Sequence, residues 1–583
     1  MNYLSVYAEK TNNSQNVKLL FSLNDRKFNM SRVATEPVGK TLKRIGISVE
    51  KANTKGQDGT KMRGKKQEVL NNIPVALFWA NGEAMDNELT NEDAWKEGNV
   101  LNICESKFLV EENTPIVHSA RVPSVIMAGF PVVPTVKLEY ADKENSQFKW
   151  FKQAHPSKPT VGEATSMPSE VENESETSWI EIGQEFIYIP NVSDIGCVLK
   201  MSCKAASIEK VAHEWFDVTA VSDVAAGPGV TPFDTRHLYT AKPTSGSSVF
   251  RVISYNILAD CYLEDDTTCQ MWFGYCPKYA LGIDYRQQLL LKEIVGYHGD
   301  IVCLQECGRR LFDHYLSPMM ASRGYTGVVK YKTGVMPEGE AIFFNNSNFT
   351  LISQHNFELK DSLTNDICNN ELLKKVRAVP EVYEKLMSRT TVAQIIVLRC
   401  AERPEDYICV VNTHLYFRPN ASFIRNLQTM IVLNMLKKSI DSLDFELREK
   451  HGNSHQIGVV FCGDFNSLPG SGVVQLLSDG MLASCHPDWN LPVEKPEQTT
   501  TCLQMPSYSQ EFGFQNCCGF PEFTAYTEGF SGVIDYIFAS KKYFEAESVI
   551  PVPSKEEVQL YTAIPSPVMP SDHIALICEL KWK

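Results

Sequence analysis

Long apolar runs are missing from this 583-residue sequence. The longest, such as Gln394–Leu398 and Tyr407–Val411, have the length of strands, whereas a membrane-spanning helix needs about 20 apolar residues. The first residues, MNYLSVYAEKTNN, contain neither the apolar segment of a secretory signal nor the arginines of a mitochondrial transit peptide. We therefore predict no membrane-spanning helix, and we find no targeting signal.

Cysteine pairs with C-x-x-C spacing are also missing, although the sequence has 17 cysteines. A structural zinc site is therefore not expected. Cys303 and Cys462 lie inside apolar, strand-like runs and are interpreted as core residues. Scattered thiols of this kind favour a reducing, intracellular compartment.

The sequence also lacks an excess of positive charge, since its formal net charge is −14. This charge argues against broad electrostatic binding of long nucleic acids, which requires a basic surface. It is compatible with a small anionic substrate, because a bound divalent ion makes a carboxylate-rich pocket less negative.

The length exceeds the roughly 250–300 residues that one core supports, so several domains are expected. We predict a small α+β or β domain at 1–115, a β-sandwich-like domain at 120–225, a connector at 226–249 and a larger domain at 250–583. In the first domain, the basic stretch 51–68 is interpreted as a solvated loop or as an electrostatic contact for RNA. A Ser/Glu/Thr-rich segment, Pro168–Ser178, interrupts the second domain.

The largest domain alternates short apolar strands with amphipathic helices. Tyr285–Tyr297 and Phe423–Ile440 both carry apolar residues at helical spacing. This alternation predicts an α/β sandwich in which helices cover the sheets, preceded by smaller, mostly β domains.

Polar residues follow six apolar runs in this domain, where loops present side chains on a rigid scaffold. Each motif alone has an ordinary structural explanation, such as a solvated loop end, a Gly-Asp turn or a hydrogen-bonded histidine. Together and in this order they predict one site. The segments are FRVISYNILAD (250–260), DIVCLQECG (300–308), ICVVNTHLYFRP (408–419), VVFCGDFNSLP (459–469), VIDYIF (533–538) and PSDHIAL (570–576).

These residue types suit the cleavage of a phosphodiester, which requires charge neutralisation, a positioned water and help for the leaving oxygen. Glu306 offers a hard oxygen ligand for Mg²⁺ or Mn²⁺, and Asp464 can orient or deprotonate the water. Asp535 paired with His573 favours an imidazolium that donates to phosphate. Amides donate to phosphate without adding negative charge, and the candidates are Asn256, Asn412 and Asn466.

The ordered motifs SYNIL, LQE, NTHL, GDFNS, IDYI and SDH resemble the endonuclease/exonuclease/phosphatase superfamily from Phe250 to Lys583. That resemblance implies a four-layer α/β sandwich of two packed sheets flanked by helices. It also implies one or two Mg²⁺ ions as cofactor, with Mn²⁺ as a substitute. The PAWCDR-like element of the inositol-phosphatase branch is not found in this sequence.

Longer phrases, such as SYNILAD, NTHLYFRP, IRNLQ and CGDFNSLP, are similar to the deadenylase branch. The phrases IMAGFPV, AGPGV, HLYTAKP and PSDHIALICELKWK resemble the animal 2′,5′-phosphodiesterases of the mitochondrial matrix. The resemblance implies an exoribonuclease that releases AMP from 2′,5′-oligoadenylate and 3′,5′-poly(A), with no obligate protein partner. The absence of a visible transit peptide leaves the cytoplasm as a second location.

Three alternative functions stay open. They are a general poly(A) deadenylase without 2′,5′ activity, a phosphatase of a small nucleotide metabolite, and a binding scaffold with a decayed site.

The resemblance also implies residue roles. Arg418 stands with Tyr416 and Phe417 where the deadenylase branch tends to have His, Trp and Asp. Arg418 is interpreted either as a contact to phosphate or base, or as a surface arginine. The other implied roles are Glu306 as the metal ligand, Asp464 as catalytic acceptor beside the metal, Asn466 on metal or phosphate, His414 on the scissile phosphate, Asp535 orienting His573, Asp572 beside the metal, and Asn256 completing the metal neighbourhood.

Overall fold

The computed structural model describes residues 2–11, 14–24, 26–54, 73–153, 178–244, 246–334, 337–452, 454–491 and 502–583. The chain forms two compact units. The N-terminal unit comprises Met1–Val122, Pro134–Tyr188 and Cys197–Asp223, and the C-terminal unit comprises Pro123–Val133, Ile189–Gly196 and Val224–Lys583. Residues 55–68 of the basic stretch and 168–177 of the Ser/Glu/Thr-rich segment lie outside the described residues.

A six-stranded sheet and one long helix form the first half of the N-terminal unit. Helix Val38–Thr54 buries Val38, Leu42 and Ile45, whose spacing puts them on one helical face. The sequence analysis identified no helix at this place. The strands, in their order across the sheet, are Arg26–Val33, Ser14–Leu23, Asn2–Thr11, Ser106–Glu112, Val100–Ile103 and Val75–Phe78.

A second sheet follows in the same unit. In its strand Val198–Ala206, Leu199 and Met201 are fully buried, whereas Lys200 and Lys204 project from the opposite face, as the two-residue period of a strand requires. The four longer strands of this sheet are, in order, Trp179–Gly183, Asp142–Gln153, Val198–Ala206 and Phe216–Ala225. A separate ribbon pairs Ile116–Arg121 with Thr135–Glu139.

Two six-stranded sheets form the centre of the C-terminal unit. Numbered along the chain, their strands are β1 (Val249–Asn256), β2 (Ile301–Gly308), β3 (Tyr325–Tyr331), β4 (Glu338–Asn345), β5 (Phe349–Glu358), β6 (Val392–Cys400), β7 (Asp406–His414), β8 (Gln456–Asp464), β9 (Phe514–Asn516), β10 (Asp535–Ser540), β11 (Phe544–Val549) and β12 (Leu576–Trp582). The first sheet has the strand order β3-β4-β2-β1-β12-β11, and the second sheet has the order β5-β6-β7-β8-β10-β9.

The two sheets pack face to face around one apolar core. Central strands such as β7 are buried along their whole length, which explains their nearly continuous apolar sequence. The core side chains include Phe250, Val252, Ile301 and Ile342 from the first sheet, and Ile396, Ile408, Val410, Val460 and Ile537 from the second.

Helices cover the outer faces of both sheets. Ser422–His451, a helix of 30 residues, packs Ile424 and Leu427 into the core of the second sheet. Ile283–Gly296 covers the first sheet, where the hydroxyl of Tyr255 donates to Glu293 Oε2 at 2.9 Å. The predicted four-layer α/β sandwich and both predicted helices are confirmed, and the second helix is longer than predicted.

Shorter elements complete the C-terminal unit. The helices are Pro232–His237, Asp266–Phe273, Lys278–Leu281, Arg309–Leu311, Ser317–Ala321, Leu359–Asn365, Asn370–Arg377, Pro380–Met387, Gly472–Asp479 and Lys555–Val558, with a π-helical turn at Phe312–Leu316. Among the described residues, no helix combines the length and apolarity needed to cross a bilayer.

Parallel pairing decides where the polar strand ends meet. Strands β1 and β2 are parallel neighbours, and so are β7 and β8. Their carboxyl ends therefore lie at one edge of each sheet, which places Asn256 beside β2 and His414 opposite Asp464.

A buried arginine anchors the start of β1. Arg251 donates from its guanidinium to Glu579 Oε1 at 2.6 Å and to the carbonyls of Tyr297, His298 and Lys242 at 2.8, 3.1 and 3.0 Å. Its side chain is 2% exposed, so the guanidinium itself depends on these protein acceptors rather than on water.

Replacing Arg251 by Met should lower the free energy of unfolding by about 3 kcal/mol, because buried carbonyls and a carboxylate lose their donors. Thermal melting followed by fluorescence measures this loss. Arg399→Met, which alters an exposed arginine of β6, is the matched control. Equal melting temperatures of the two variants would contradict this role of Arg251.

Candidate active site

The amide of Asn256 joins two carboxylates from different sheets. Its Nδ2 donates to Glu306 Oε1 and to Asp464 Oδ2, both at 3.1 Å. Its Oδ1 accepts from the backbone N–H of Leu258 at 3.1 Å, which fixes the orientation of the amide. Asn256 is 1% exposed, so these hydrogen bonds hold Glu306 and Asp464 together away from bulk water.

Glu306 is aimed into the site by an irregularity in β2. The pairing of β2 with β4 shifts register between Leu304 and Cys307, and Glu306 has a positive φ of 56°. Irregularities of this kind redirect a side chain at a strand end. Burial first, and then repulsion from Glu338 and Asp572, raise the pKa of Glu306 to about 7.

Asp464 ends β8 directly before a tight turn. Asn466 has a φ of 48°, and its backbone N–H donates to Asp464 Oδ1 at 2.9 Å. The side-chain amide of Asn466 donates to the carbonyl of Leu415 at 3.0 Å. Burial, and then the charge of Asp535, raise the pKa of Asp464 to about 7.

His573 forms a dyad with Asp535. His573 Nδ1 lies 2.9 Å from Asp535 Oδ2, which also accepts from the hydroxyl of Thr524 at 2.6 Å. Burial alone would lower the pKa of His573, but Asp535, Asp572 and Asp464 raise it well above the ordinary value. These carboxylates favour the imidazolium form of His573, whose Nε2 lies 3.7 Å from Asp464 Oδ2.

His414 has the opposite electrostatic character. Its Nε2 lies 3.4 Å from Asp464 Oδ2, and its Nδ1 lies 3.8 Å from Glu306 Oε1. Burial first, and then the cations Lys332 and His573, hold its pKa well below the ordinary value. The surroundings of the two rings thus favour a neutral imidazole at His414 and a charged one at His573.

The donor set fits a hard divalent cation. Burial raises the pKa of Glu306, Asp464 and Asp572, so a cation among these oxygens would relieve an existing electrostatic cost. Among the described residues, Asp464, Asp535 and His573 offer ligand atoms that all lie within 4.8 Å of one another. The carboxylate oxygens of Glu306 and Asp464, which Asn256 joins, form a second set of hard ligands.

Asp572 lies beside this cluster, whereas Arg418 lies in the exposed segment after β7. The charge of Asp572 acts on Glu306 and His573, in agreement with a position beside them. Arg418 is exposed, and its guanidinium lies 5.2 Å from the ring centre of Phe417.

Asn412 requires a correction. Its Nδ2 donates to the carbonyls of Leu304 and Ala341 at 2.9 and 3.1 Å, and its Oδ1 accepts from Gln305 at 2.8 Å. Asn412 is fully buried between the sheets, so its amide is not available to a phosphate. The prediction of a phosphate contact failed because the first sheet, through Leu304 of β2 and Ala341 of β4, packs against this position of β7, which the sequence of one strand does not show.

Sequence reasoning missed a buried charged group beside Glu306. Glu338 and Glu340 are fully buried at the start of β4. Glu338 Oε1 accepts from Lys332 Nζ at 2.5 Å and from the hydroxyl of Tyr262 at 2.9 Å. The signal in the sequence was the placement of two glutamates at alternate positions in the apolar strand EGEAIFF.

Sequence comparison identifies the fold and the chemistry. Residues 253–573 match the profile described as "Endonuclease/Exonuclease/phosphatase family". The chain belongs to this family. Residues 114–218 match a second profile, "2',5'-phosphodiesterase 12-like, N-terminal domain". Members of the family are metal-dependent nucleases and phosphodiesterases, so the chain is a phosphodiesterase-type hydrolase.

Whole-chain similarity places the protein in the 2′,5′-phosphodiesterase 12-like group of the family. The chain is 36% identical to 2′,5′-phosphodiesterase 12 of Homo sapiens over 585 residues, which cover 97% of this chain and 92% of the human protein. It is 30% identical over 449 residues to carbon catabolite repressor protein 4 homolog 1 of Arabidopsis thaliana, covering 69% of this chain and 70% of that protein.

Among solved structures, ANGEL2, described as a 2′,3′-cyclic phosphatase in complex with adenosine-2′,3′-vanadate, is similar at 24% identity. The match covers 57% of this chain and 96% of that chain, with a TM-score of 0.45.

Replacing Asn412 by Leu tests its corrected role. We expect a loss of about 2–4 kcal/mol in the free energy of unfolding, because two buried carbonyls lose their donors. The KM of the folded fraction for triadenylate should stay within roughly twofold of the value for the parent chain. Gln354→Leu, an exposed amide of β5, is the control. A raised KM with an unchanged free energy of unfolding would instead support the predicted contact between Asn412 and phosphate.

Proposed function

We propose that the protein is a Mg²⁺-dependent exoribonuclease that releases AMP from 2′,5′-oligoadenylate and from 3′,5′-poly(A). The observation that carries the proposal is the joining of Glu306 and Asp464 by Asn256, beside the His573–Asp535 dyad. Similarity to a protein named 2′,5′-phosphodiesterase 12 over 97% of the chain supports the choice of substrate.

The proposed Mg²⁺ site uses Glu306, with Asp464, Asn466, Asn256 and Asp572 around it. Mg²⁺ prefers few carboxylates and keeps several waters, and this oxygen-rich set meets that preference. The bound ion would supply charge neutralisation on the phosphate. Mn²⁺, which accepts the same ligands, should substitute.

The two imidazoles and Asp464 supply the remaining chemistry in this proposal. Asp464 orients the attacking water and accepts its proton, for which a pKa of about 7 is suitable. His573, held by Asp535, donates from Nε2 to a phosphate oxygen as negative charge develops. Neutral His414 donates to the scissile phosphate without adding a second positive charge.

Substrate contacts outside this centre are proposed for two residues. Asn466 is half-buried next to Asp464 and is proposed to contact metal or phosphate. Arg418 is exposed beside Phe417 and is proposed to contact phosphate or stack on a base.

The proposed cellular partners are poly(A) tails and short oligoadenylates, and the proposed compartment is the mitochondrial matrix. The support is the resemblance of the sequence motifs to mitochondrial 2′,5′-phosphodiesterases. Fractionation of cells that produce the natural, complete protein tests the compartment, and its recovery only in the cytosol would refute it.

Substrate choice is tested with purified protein and Mg²⁺ on 2′,5′-linked triadenylate, 3′,5′-linked oligo(A) and oligo(U). We expect stepwise AMP release from both adenylates and its loss in EDTA. Cleavage of 3′,5′-oligo(A) alone would indicate a general deadenylase. Cleavage of free nucleotides but of no oligomer would indicate a phosphatase of small metabolites.

Removing carboxylates tests the site itself. Glu306→Ala and Asp464→Ala should each lower kcat for triadenylate by roughly 10²–10³-fold or more, because each removes charge stabilisation or water activation from the transition state. Glu545→Ala, an exposed carboxylate of β11, is the matched control. Hydrolysis that survives the double variant Glu306→Ala plus Asp464→Ala would show that the chemistry lies elsewhere.

A further inference from the structure

One face of the second sheet of the N-terminal unit combines lysines with aromatic rings. Lys149 is opposite Ser202 across the strand pair, and Phe151 is opposite Lys200. Because these residues alternate with the buried Trp150 and Met201, they share the face turned away from the core. We call the set Lys149, Phe151, Trp179, Lys200, Lys204 and Trp215 the lysine–aromatic face.

Every ammonium group of this face lies beside a ring. Lys200 Nζ lies 4.8 Å from the ring centres of both Phe151 and Trp179. Lys149 Nζ and Lys204 Nζ lie 5.6 and 5.9 Å from the ring centre of Trp215. The repeated pairing of a cation with a half-exposed ring matches a nucleotide strand, in which phosphates and bases alternate.

One lysine of the face is available to an anion. Lys149 is paired with Glu181 at 2.9 Å, and Lys200 lies 3.7 Å from Asp217. Lys204 has no carboxylate within ion-pair distance among the residues that the structure describes. With the exposed Asp223 on the same side, three lysines balance three carboxylates, which is less negative than a chain whose net charge is −14.

A cavity of about 490 Å³ in the same unit adjoins one end of the face, since Trp215 lines it. Its wall also contains Phe28 and the stacked rings of Tyr3 and His213, whose centroids are 3.7 Å apart. A cavity of this size and lining can accommodate a splayed-out base.

We propose that the lysine–aromatic face binds single-stranded RNA, with its lysines on phosphates and its rings on bases. This inference rests on the proposed function for the choice of RNA, and it assigns the N-terminal unit the task of holding a strand. Stacking makes such binding tolerant of sequence, and lysine–phosphate contacts make it dependent on salt.

The test is fluorescence anisotropy of the full chain with fluorescein-labelled 3′,5′-oligo(A) of 20 nucleotides in EDTA, so that binding is measured without hydrolysis. Trp215→Ala should raise Kd roughly tenfold through lost stacking, and Trp215→Phe should restore most of the affinity. Lys200→Ala plus Lys204→Ala should raise Kd and reduce the slope of log K against log salt by roughly 1.4, as two phosphate contacts are lost.

Lys143→Ala is the matched control. Lys143 also lies over a ring, that of Phe186 at 4.2 Å, but Phe186 packs edge-on against the buried Phe148 on the opposite face. The Kd of the Lys143→Ala variant for oligo(A) should equal that of the parent chain.

Three outcomes would overturn the proposal. The first is that the parent chain and the Lys200→Ala plus Lys204→Ala variant have the same Kd and the same salt slope. The second is that Lys143→Ala weakens binding as much as the changes on the lysine–aromatic face do. The third is that the parent chain binds a 20-base-pair RNA duplex as tightly as it binds oligo(A). Failure of the proposed function is a separate outcome, because the parent chain would then cleave no oligonucleotide in Mg²⁺ while the binding differences persisted.

Discussion

The double hydrogen bond of Asn256 is the interaction on which the site depends. Glu306 belongs to the first sheet and Asp464 to the second, and their buried carboxylates would repel each other if nothing held them. One amide nitrogen donates to both at 3.1 Å. The packing of the two sheets and the geometry of the reaction centre are thus coupled through one side chain.

Environment, rather than residue type, separates the roles of the two histidines. His573 faces Asp535, Asp572 and Asp464, whose charges raise its pKa well above the ordinary value. Burial and the nearby Lys332 hold the pKa of His414 well below the ordinary value. The Lys332–Glu338 pair, at 2.5 Å, therefore acts on the site electrostatically from outside the predicted motifs.

The sequence allowed the two-sheet fold and most of the site to be predicted, because polar residues at the carboxyl ends of parallel strands meet at a sheet edge. It did not predict that Asn412 is used between the sheets, because inter-sheet packing depends on both sheets. Glu338 and Glu340 were missed since charged residues at a strand start usually face solvent. The signal for helix Val38–Thr54 was present, because Val38, Leu42, Ile45 and Val49 are spaced along one helical face, but the sequence analysis considered only strand-like runs in this region.

The proposed function requires that Glu306 and Asp464 hold a divalent cation between them. Anomalous diffraction from crystals grown with Mn²⁺ measures the position of that cation directly. The account predicts one strong peak within about 2.5 Å of a Glu306 carboxylate oxygen and on the Asp464 side of it. A strong peak held instead by Asp535 and His573, or no peak beside Glu306, would contradict it.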